Sequence, residues 1–385
     1  MNSKKIIFWC PFISKVGTIN AVIESAKALK SSKKFQCKII NVFGEFDQYS
    51  HILSKNQIKE IKLTSFKFLK HIPKKGFFWS RLNYIIIILL SAIPLLIYLK
   101  KNKKDILFTY LLTSLPLLLV KIFGLKNRIF LRISGKINYT FLRKVILNLT
   151  KDKIDKAFIQ TKFAKKNLLK QNIFEKKKIS FLEDPIIDFK KINDLKKEKI
   201  DKKFKNKHFF IAIGRLTKQK NFEFLIESIK EILIKNNFYL IILGEGEQKK
   251  LLQNKIEIYG LKSKIFLLGF KNNVYKYLSK SKGLICTSLW EEPGFIIHEA
   301  AACKKIILSS NCKSGPSEFL DEGKNGYIFN VNDKKSFINK FNQMINEKKK
   351  HPRMIRSNLK KCQLYTKKYF ADKLARELRL VNNFS

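Results

Sequence analysis

Two glutamates, Glu291 and Glu299, stand eight positions apart in the run GLICTSLWEEPGFIIHEAAACKKIILS, Gly283 to Ser309. The run reads as a short apolar strand (Gly283–Cys286), a loop, a helix opening near Gly294, and a second strand (Ile306–Ser309). Glu291 falls in the loop and Glu299 inside the helix, so both can reach the space before the helix N-terminus. There, free backbone N–H groups and the macrodipole favour an anion. The N–H groups of Gly294 and Phe295 could hold a phosphate while two carboxylates accept hydrogen bonds from hydroxyls. A sugar nucleotide carries that combination.

The elements that must position such a site alternate along the chain. Lys5–Trp9 reads as a buried strand, followed by a turn and a helix opening at Gly17-Thr18. Cys37–Val42, Ile106–Tyr110, Arg128–Ile133, Ala157–Gln160 and Ile179–Leu182 continue the strands, with an apolar helix broken by Pro116 between the second and third of these. The series restarts at His208–Ile213, with a helix from Asn221 to about Leu233 and further strands at Phe238–Leu243 and Lys264–Leu268. Strand–helix alternation with a second start predicts an α/β chain of two doubly wound, Rossmann-like domains with a cleft between them. The expected boundaries are 1–185, a charged linker 186–207, a second domain 208–350, and a C-terminal helical segment 351–385. Strand ends face the ligand crevice in such sheets. That puts Arg132 and Ser134 on an acceptor side, or else at a strand that simply turns.

The residues Ser288, Glu291, Gly294, Phe295, Glu299 and Ala300, followed by a small-residue helix and a strand, resemble the signature of the family-four glycosyltransferases. The resemblance is strongest over about 208–335. It implies a GT-B pair of domains with the C-terminal helix crossing back to the first, a retaining transferase, and a UDP- or GDP-sugar donor of hexosyl or N-acetylhexosaminyl type. The acceptor would be lipid-linked or a cell-surface polysaccharide. In that family the second glutamate holds the donor ribose and the first lies near the transferred sugar. Gly214-Arg215 through Lys220 match the diphosphate-binding segment, and there the physics agrees. Cleaving a glycosyl–phosphate bond leaves extra negative charge that fixed cations stabilise. Arg supplies a bidentate fork and Lys a point charge. Glu291, Arg215 and Lys220 are therefore the expected catalytic set, with no metal and no cofactor, and the chain carries no Asp-x-Asp pair. Gly17 and Thr18 carry over to the donor-phosphate loop, although the family's paired glycines are absent. Gly269 and Phe270 would contact the base, with core packing of Phe270 an equal alternative. Gly244 and Gly246 form a tight turn, and His298 reads as a packed histidine.

Composition bounds these readings. The 385 residues and 45% hydrophobic content support two real cores. The net charge of +49 comes from lysines dispersed along the whole chain. It reads partly as compositional drift and partly as attraction to anions such as lipid headgroups and diphosphates. A nucleic-acid-binding protein is the reading from another class, but no recognisable module is present and the lysines are not striped. A sugar-nucleotide epimerase on the same fold is the second enzymatic reading; a phosphorylase would need a longer chain. Six cysteines without a C-x-x-C pair fit a reduced, cytoplasmic compartment. The first apolar run is too short for a signal peptide. Tyr84–Leu99 is the most apolar run, shorter than the ~20 residues of a span, interrupted by Pro94 and followed by Lys100, Lys101, Lys103 and Lys104. It allows a helix on an anionic membrane surface, a buried helix or a span. With the resemblance, it gives a peripheral protein at the inner face of the cytoplasmic membrane.

Overall fold

The computed structural model describes residues 4–11, 17–42, 44–64, 77–110, 114–133, 140–312 and 314–382. They divide into two units. The first holds the described residues of Met1–Gln160, Ala164–Ile186 and Tyr365–Ser385, and the second those of Thr161–Phe163 and Ile187–Leu364.

The first unit is built on a seven-stranded, wholly parallel sheet. Its strands are β1 (Lys4–Trp9), β2 (Phe35–Asn41), β3 (Lys59–Lys62), β4 (Ile106–Tyr110), β5 (Arg128–Arg132), β6 (Ile154–Ile159) and β7 (Ile179–Phe181). Their order is β3-β2-β1-β4-β5-β6-β7. A parallel sheet is covered on both faces, so its strands are apolar on both sides. In β1, Ile6 and Phe8 pack with helix α1 (Gly17–Ser31), while Ile7 and Trp9 point into the opposite layer. That opposite layer holds α3 (Phe77–Lys101), α4 (Ser114–Ile122), α5 (Phe141–Thr150) and α6 (Lys162–Leu169); the short α2 (Ser50–Lys55) precedes β3.

The second unit repeats the plan with six parallel strands. These are β8 (Phe209–Ile213), β9 (Tyr239–Leu243), β10 (Ile265–Leu267), β11 (Gly283–Cys286), β12 (Ile306–Ser310) and β13 (Tyr327–Phe329), in the order β10-β9-β8-β11-β12-β13. Helices α7 (Phe189–Leu195), α8 (Phe222–Lys235), α9 (Lys249–Ile258), α10 (Tyr275–Lys280), α11 (Phe295–Ala302), α12 (Pro316–Phe319), α13 (Lys334–Asn346) and α14 (His351–Cys362) surround it. Both sheets have the Rossmann order, which reverses direction beside the first strand of each unit. Ligands bind at that reversal, outside the carboxyl ends of the strands. In the second unit it lies between β8 and β11.

The structure redraws several expected boundaries. Residues 187–207 are part of the second unit. They carry α7, whose Leu195 carbonyl accepts from Asn273 Nδ2 (2.9 Å), and Phe204, which is buried against Phe209 and Phe266. The expected C-terminal helical run is two helices. The first, α14, packs on α11; after the break at Gln363–Tyr365, α15 (Lys367–Asn382) belongs to the first unit, as expected of the last helix. Phe370, Ala371, Leu374 and Leu378, one stripe of α15, are buried in the α1 layer, and Lys367 and Lys373 pair with Glu24 (3.3 Å) and Glu183 (2.9 Å). Pro94 sits inside α3 without ending it, and Pro116 stands in the first turn of α4, where its missing N–H costs no helical bond.

Candidate active site

The site grows from the loops at the carboxyl ends of β8, β9, β10 and β11. After β8, Gly214 N donates to the Leu243 carbonyl (3.0 Å) and Leu216 N to the Glu245 carbonyl (2.9 Å); after β9, Gly244 N donates to the Gly269 carbonyl (2.9 Å). Three loops are thus zipped together by backbone bonds. A side chain at Gly244 would break this arrangement: its Cβ would fall 1.8 Å from the Gly214 oxygen.

The loop after β8 is tied just as closely to the loop after β11. Leu289 N donates to the Gln219 carbonyl (2.8 Å), Gln219 Nε2 to the Trp290 carbonyl (2.8 Å), and Thr287 Oγ1 to the carbonyls of Lys220 (2.9 Å) and Asn221 (3.1 Å). These bonds bring Lys220 and Glu291 together. The lysine stem packs at Gly214, and its ammonium forms a largely buried ion pair with the Glu291 carboxylate. Ser288 Oγ donates to the same Glu291 oxygen (2.6 Å), and Ser310 Oγ holds the Ser288 carbonyl (2.6 Å). A largely buried ion pair whose carboxylate also accepts from a hydroxyl is a rigid, oriented group.

Gly294 caps α11 in the left-handed region (φ 83°), against the Glu291 side chain. As N-cap, Gly294 offers no capping side chain, and the first turn of the helix holds no acid. Its leading N–H groups, starting at Phe295, are thereby left to an anion. Arg215 projects into solvent from the loop after β8, with no ion pair among the described residues. Glu299, one turn into α11, is partly buried and accepts a hydrogen bond from Tyr275 Oη (3.0 Å). Burial raises its carboxyl above the usual range, while the Tyr275 bond and the Lys191 charge pull it back. Such a desolvated carboxylate gains most from hydroxyl donors. Gly269 closes the turn after β10, and the Phe270 ring is 72% exposed, which removes core packing as its role.

The structure therefore gathers Gly214, Lys220, Ser288, Glu291, Gly294 and Phe295 into one cluster at the sheet reversal. Tyr275 is a site residue that sequence reasoning missed. An aromatic six positions beyond Gly269 gives no signal until the fold sets α10 beside α11. Gly17 and Thr18 open α1 in the first unit, and Ser134 lies outside the described residues. Arg132 does not present a free guanidinium. It is wholly buried at the end of β5, and its Nε and Nη2 donate to Asp184 Oδ1 (3.1 and 2.7 Å). The acceptor role expected of it is replaced by a structural one, because a buried cation at a strand end requires a buried anion.

His298, the neighbour of Glu299, is buried, bonded at Nδ1 to the Gly294 carbonyl (3.3 Å) and packed on Phe319. Burial lowers its pKa from 6.5 to about 3. Because the unfolded chain takes up this proton first, the stability it contributes is complete above pH 6.5 and is lost as pH falls toward 3. Urea unfolding at pH 7 and pH 5 should show about 2 kcal/mol of loss from this group, absent in His298→Gln.

Residues 193–361 match the family model for glycosyl transferases group 1. Over those residues the chain is similar to that family. It is 29% identical over 240 residues to the N-acetylgalactosamine-N,N'-diacetylbacillosaminyl-diphospho-undecaprenol 4-alpha-N-acetylgalactosaminyltransferase of Campylobacter jejuni, covering 60% of this chain and 64% of that one. The chain spans 34% and 64% of the lengths of the first two curated relatives it matches. Its fold is that of the glycosyltransferase from Rickettsia africae (TM-score 0.79, 20% identity, all of both chains). It is also that of HepE from Anabaena, solved with UDP (TM-score 0.76, 15% identity, 97% of this chain and 99% of that one). This is the GT-B fold expected from the resemblance to the family-four glycosyltransferases.

Proposed function

We propose that this protein transfers a hexosyl or N-acetylhexosaminyl group from a nucleoside diphosphate sugar to a lipid-linked or surface-polysaccharide acceptor, with retention of anomeric configuration. The observation that carries the reading is the Lys220–Glu291–Ser288 cluster beside the uncapped N-terminus of α11, with Arg215 unpaired on the adjoining loop. Arg215, Lys220 and the α11 N–H groups would bind the diphosphate and stabilise the charge that grows on it as the glycosyl bond breaks. Glu299, steadied by Tyr275, would accept hydrogen bonds from the ribose hydroxyls, and Glu291 would face the transferred sugar. Gly269 and Phe270 would border the base. With two fixed cations on the diphosphate, the reaction would run without a divalent metal. The leaving phosphate itself would take the acceptor's proton.

The Anabaena protein of this fold was solved with UDP, which favours a uridine donor. The name of the Campylobacter enzyme specifies a diphospho-undecaprenol acceptor, which favours a lipid-linked acceptor at the inner face of the cytoplasmic membrane. A thermal-shift screen of the purified protein against UDP, GDP, their sugar conjugates and short DNA tests the donor. A ligand bound only by the folded state raises the melting temperature, by RT ln(1 + [L]/Kd) in stability. Stabilisation by one nucleoside diphosphate, unchanged by EDTA, is the expected result. Stabilisation by DNA alone would overturn the reading in favour of the basic charge.

A further inference from the structure

The first unit exposes apolar side chains where a solvated helix carries polar ones. Helix α3 buries Ile87, Ser91, Leu95 and Leu99 against the sheet, as a helix should every fourth residue. Its opposite face carries Ile85, Leu89, Ile93 and Ile97, of which Leu89 and Ile93 are each 69% exposed. Helix α5 repeats this. It buries Leu147 and turns Phe141, Val145 and Leu149 outward, with Phe141 84% exposed. Among the described residues, 11 of the 18 exposed large hydrophobic side chains lie between Ile85 and Leu149. Those elsewhere are scattered singly, as on ordinary surfaces.

These helices are neighbours. Helix α4 packs against both α3 and α5, and its last residue, Ile122, and the following Phe123 are exposed. Lys100, at the end of α3, stands over the Phe123 ring (5.4 Å), and Lys121 of α4 pairs with Asp152 just beyond α5 (2.8 Å). The apolar residues thus share one layer on one side of the sheet. Their charge setting has a single sign. Asp105 and Asp152 are the only acids between Phe77 and Lys153; the first is buried and the second is paired with Lys121. Around them, Lys100, Lys101, Lys103, Lys104, Lys126 and Lys144 remain as cations. Among the described residues no helix is long and apolar enough to cross a membrane.

We infer that the outer faces of α3 and α5, with the end of α4, form a docking surface for an anionic lipid bilayer. The apolar side chains enter the boundary between headgroups and acyl chains, and the lysines meet the headgroup phosphates. A second protein copy would meet the same unopposed positive charge, so a lipid surface is the occupant that the charge selects. The inference deepens the proposed lipid-linked acceptor by naming the face that would meet the membrane, and it is tested apart from the transfer reaction.

Flotation with vesicles of phosphatidylglycerol and phosphatidylcholine tests it, using the full chain, Leu89→Ser/Ile93→Ser and Phe141→Ser/Leu149→Ser. All four positions are solvent-exposed, and the UDP-induced thermal shift checks that each variant retains the native donor response. The wild type should float with anionic vesicles, at least tenfold less with pure phosphatidylcholine, and less as salt rises. Each double variant should need at least tenfold more lipid. Flotation of both variants like the wild type would overturn the surface while leaving membrane attachment standing. A wild type that stays off anionic vesicles would overturn it as well, as would a dimer abolished by these substitutions in sedimentation without lipid. A missing UDP shift in the wild type would instead count against the proposed donor, whatever the flotation result.

Discussion

Arg215→Ala should lower the rate of glycosyl transfer by about 10²–10³-fold, the effect of removing one fixed donor from a developing oxyanion. The melting temperature should stay within a degree or two of wild type. The guanidinium is exposed and forms no ion pair among the described residues, so the folded state loses no contact with it; its cost appears only when a diphosphate is present. Lys220→Ala makes the informative contrast. It should cost a similar factor in rate, and it should also destabilise the fold by about 1–3 kcal/mol, because the buried Glu291 carboxylate loses its cation. Steady-state rates and urea unfolding on the same two preparations separate these outcomes. Equal transfer by Arg215→Ala and wild type would remove the arginine from the reaction.

The largest stability effect should come from a residue that makes no contribution to the proposed chemistry. Arg132→Met is expected to destabilise the first unit by about 3–5 kcal/mol, since it leaves the buried Asp184 carboxylate with only the Gln160 amide. In a unit of this size that corresponds to a fall of roughly 10 °C in melting temperature. Replacing both partners, Arg132→Met with Asp184→Leu, should recover most of the loss, because neither charge is then stranded. Differential scanning calorimetry of the single and double variants gives the comparison. An Arg132→Met protein as stable as wild type, but slow toward acceptor, would return the residue to the acceptor role that its position at the end of β5 first implied.

Much of the scaffold was legible in the sequence, and the reason is physical. Strands of a sheet covered on both faces are continuous apolar runs, and β8, β9 and β11 each end at a glycine or small polar residue where a loop must turn. The Gly214–Lys220 and Glu291–Glu299 segments stood out because cations and acids directly follow such strands. What joins them was not legible. Lys220 and Glu291 lie 71 residues apart, and Arg132 and Asp184 lie 52 apart, so no local pattern couples either pair. The edge strand β3, KEIK, carries no apolar alternation that would mark it, and β13 is only three residues long. The stretch Tyr84–Leu99 is apolar all round, so periodicity could not separate burial from exposure. The fold does so by covering one face of α3 and leaving the other open. The linker reading of 186–207 failed for the opposite reason. Its charges are solvated, but Phe204 and the ends of α7 anchor it to the second unit.

Isothermal titration of UDP into the wild type, Arg215→Ala and Glu299→Gln, each with and without EDTA, tests the central claim most directly. The account predicts one site per chain, weakened at least tenfold by either substitution and indifferent to the chelator. Undiminished binding in both variants, or no binding of UDP or GDP by the wild type, would contradict it.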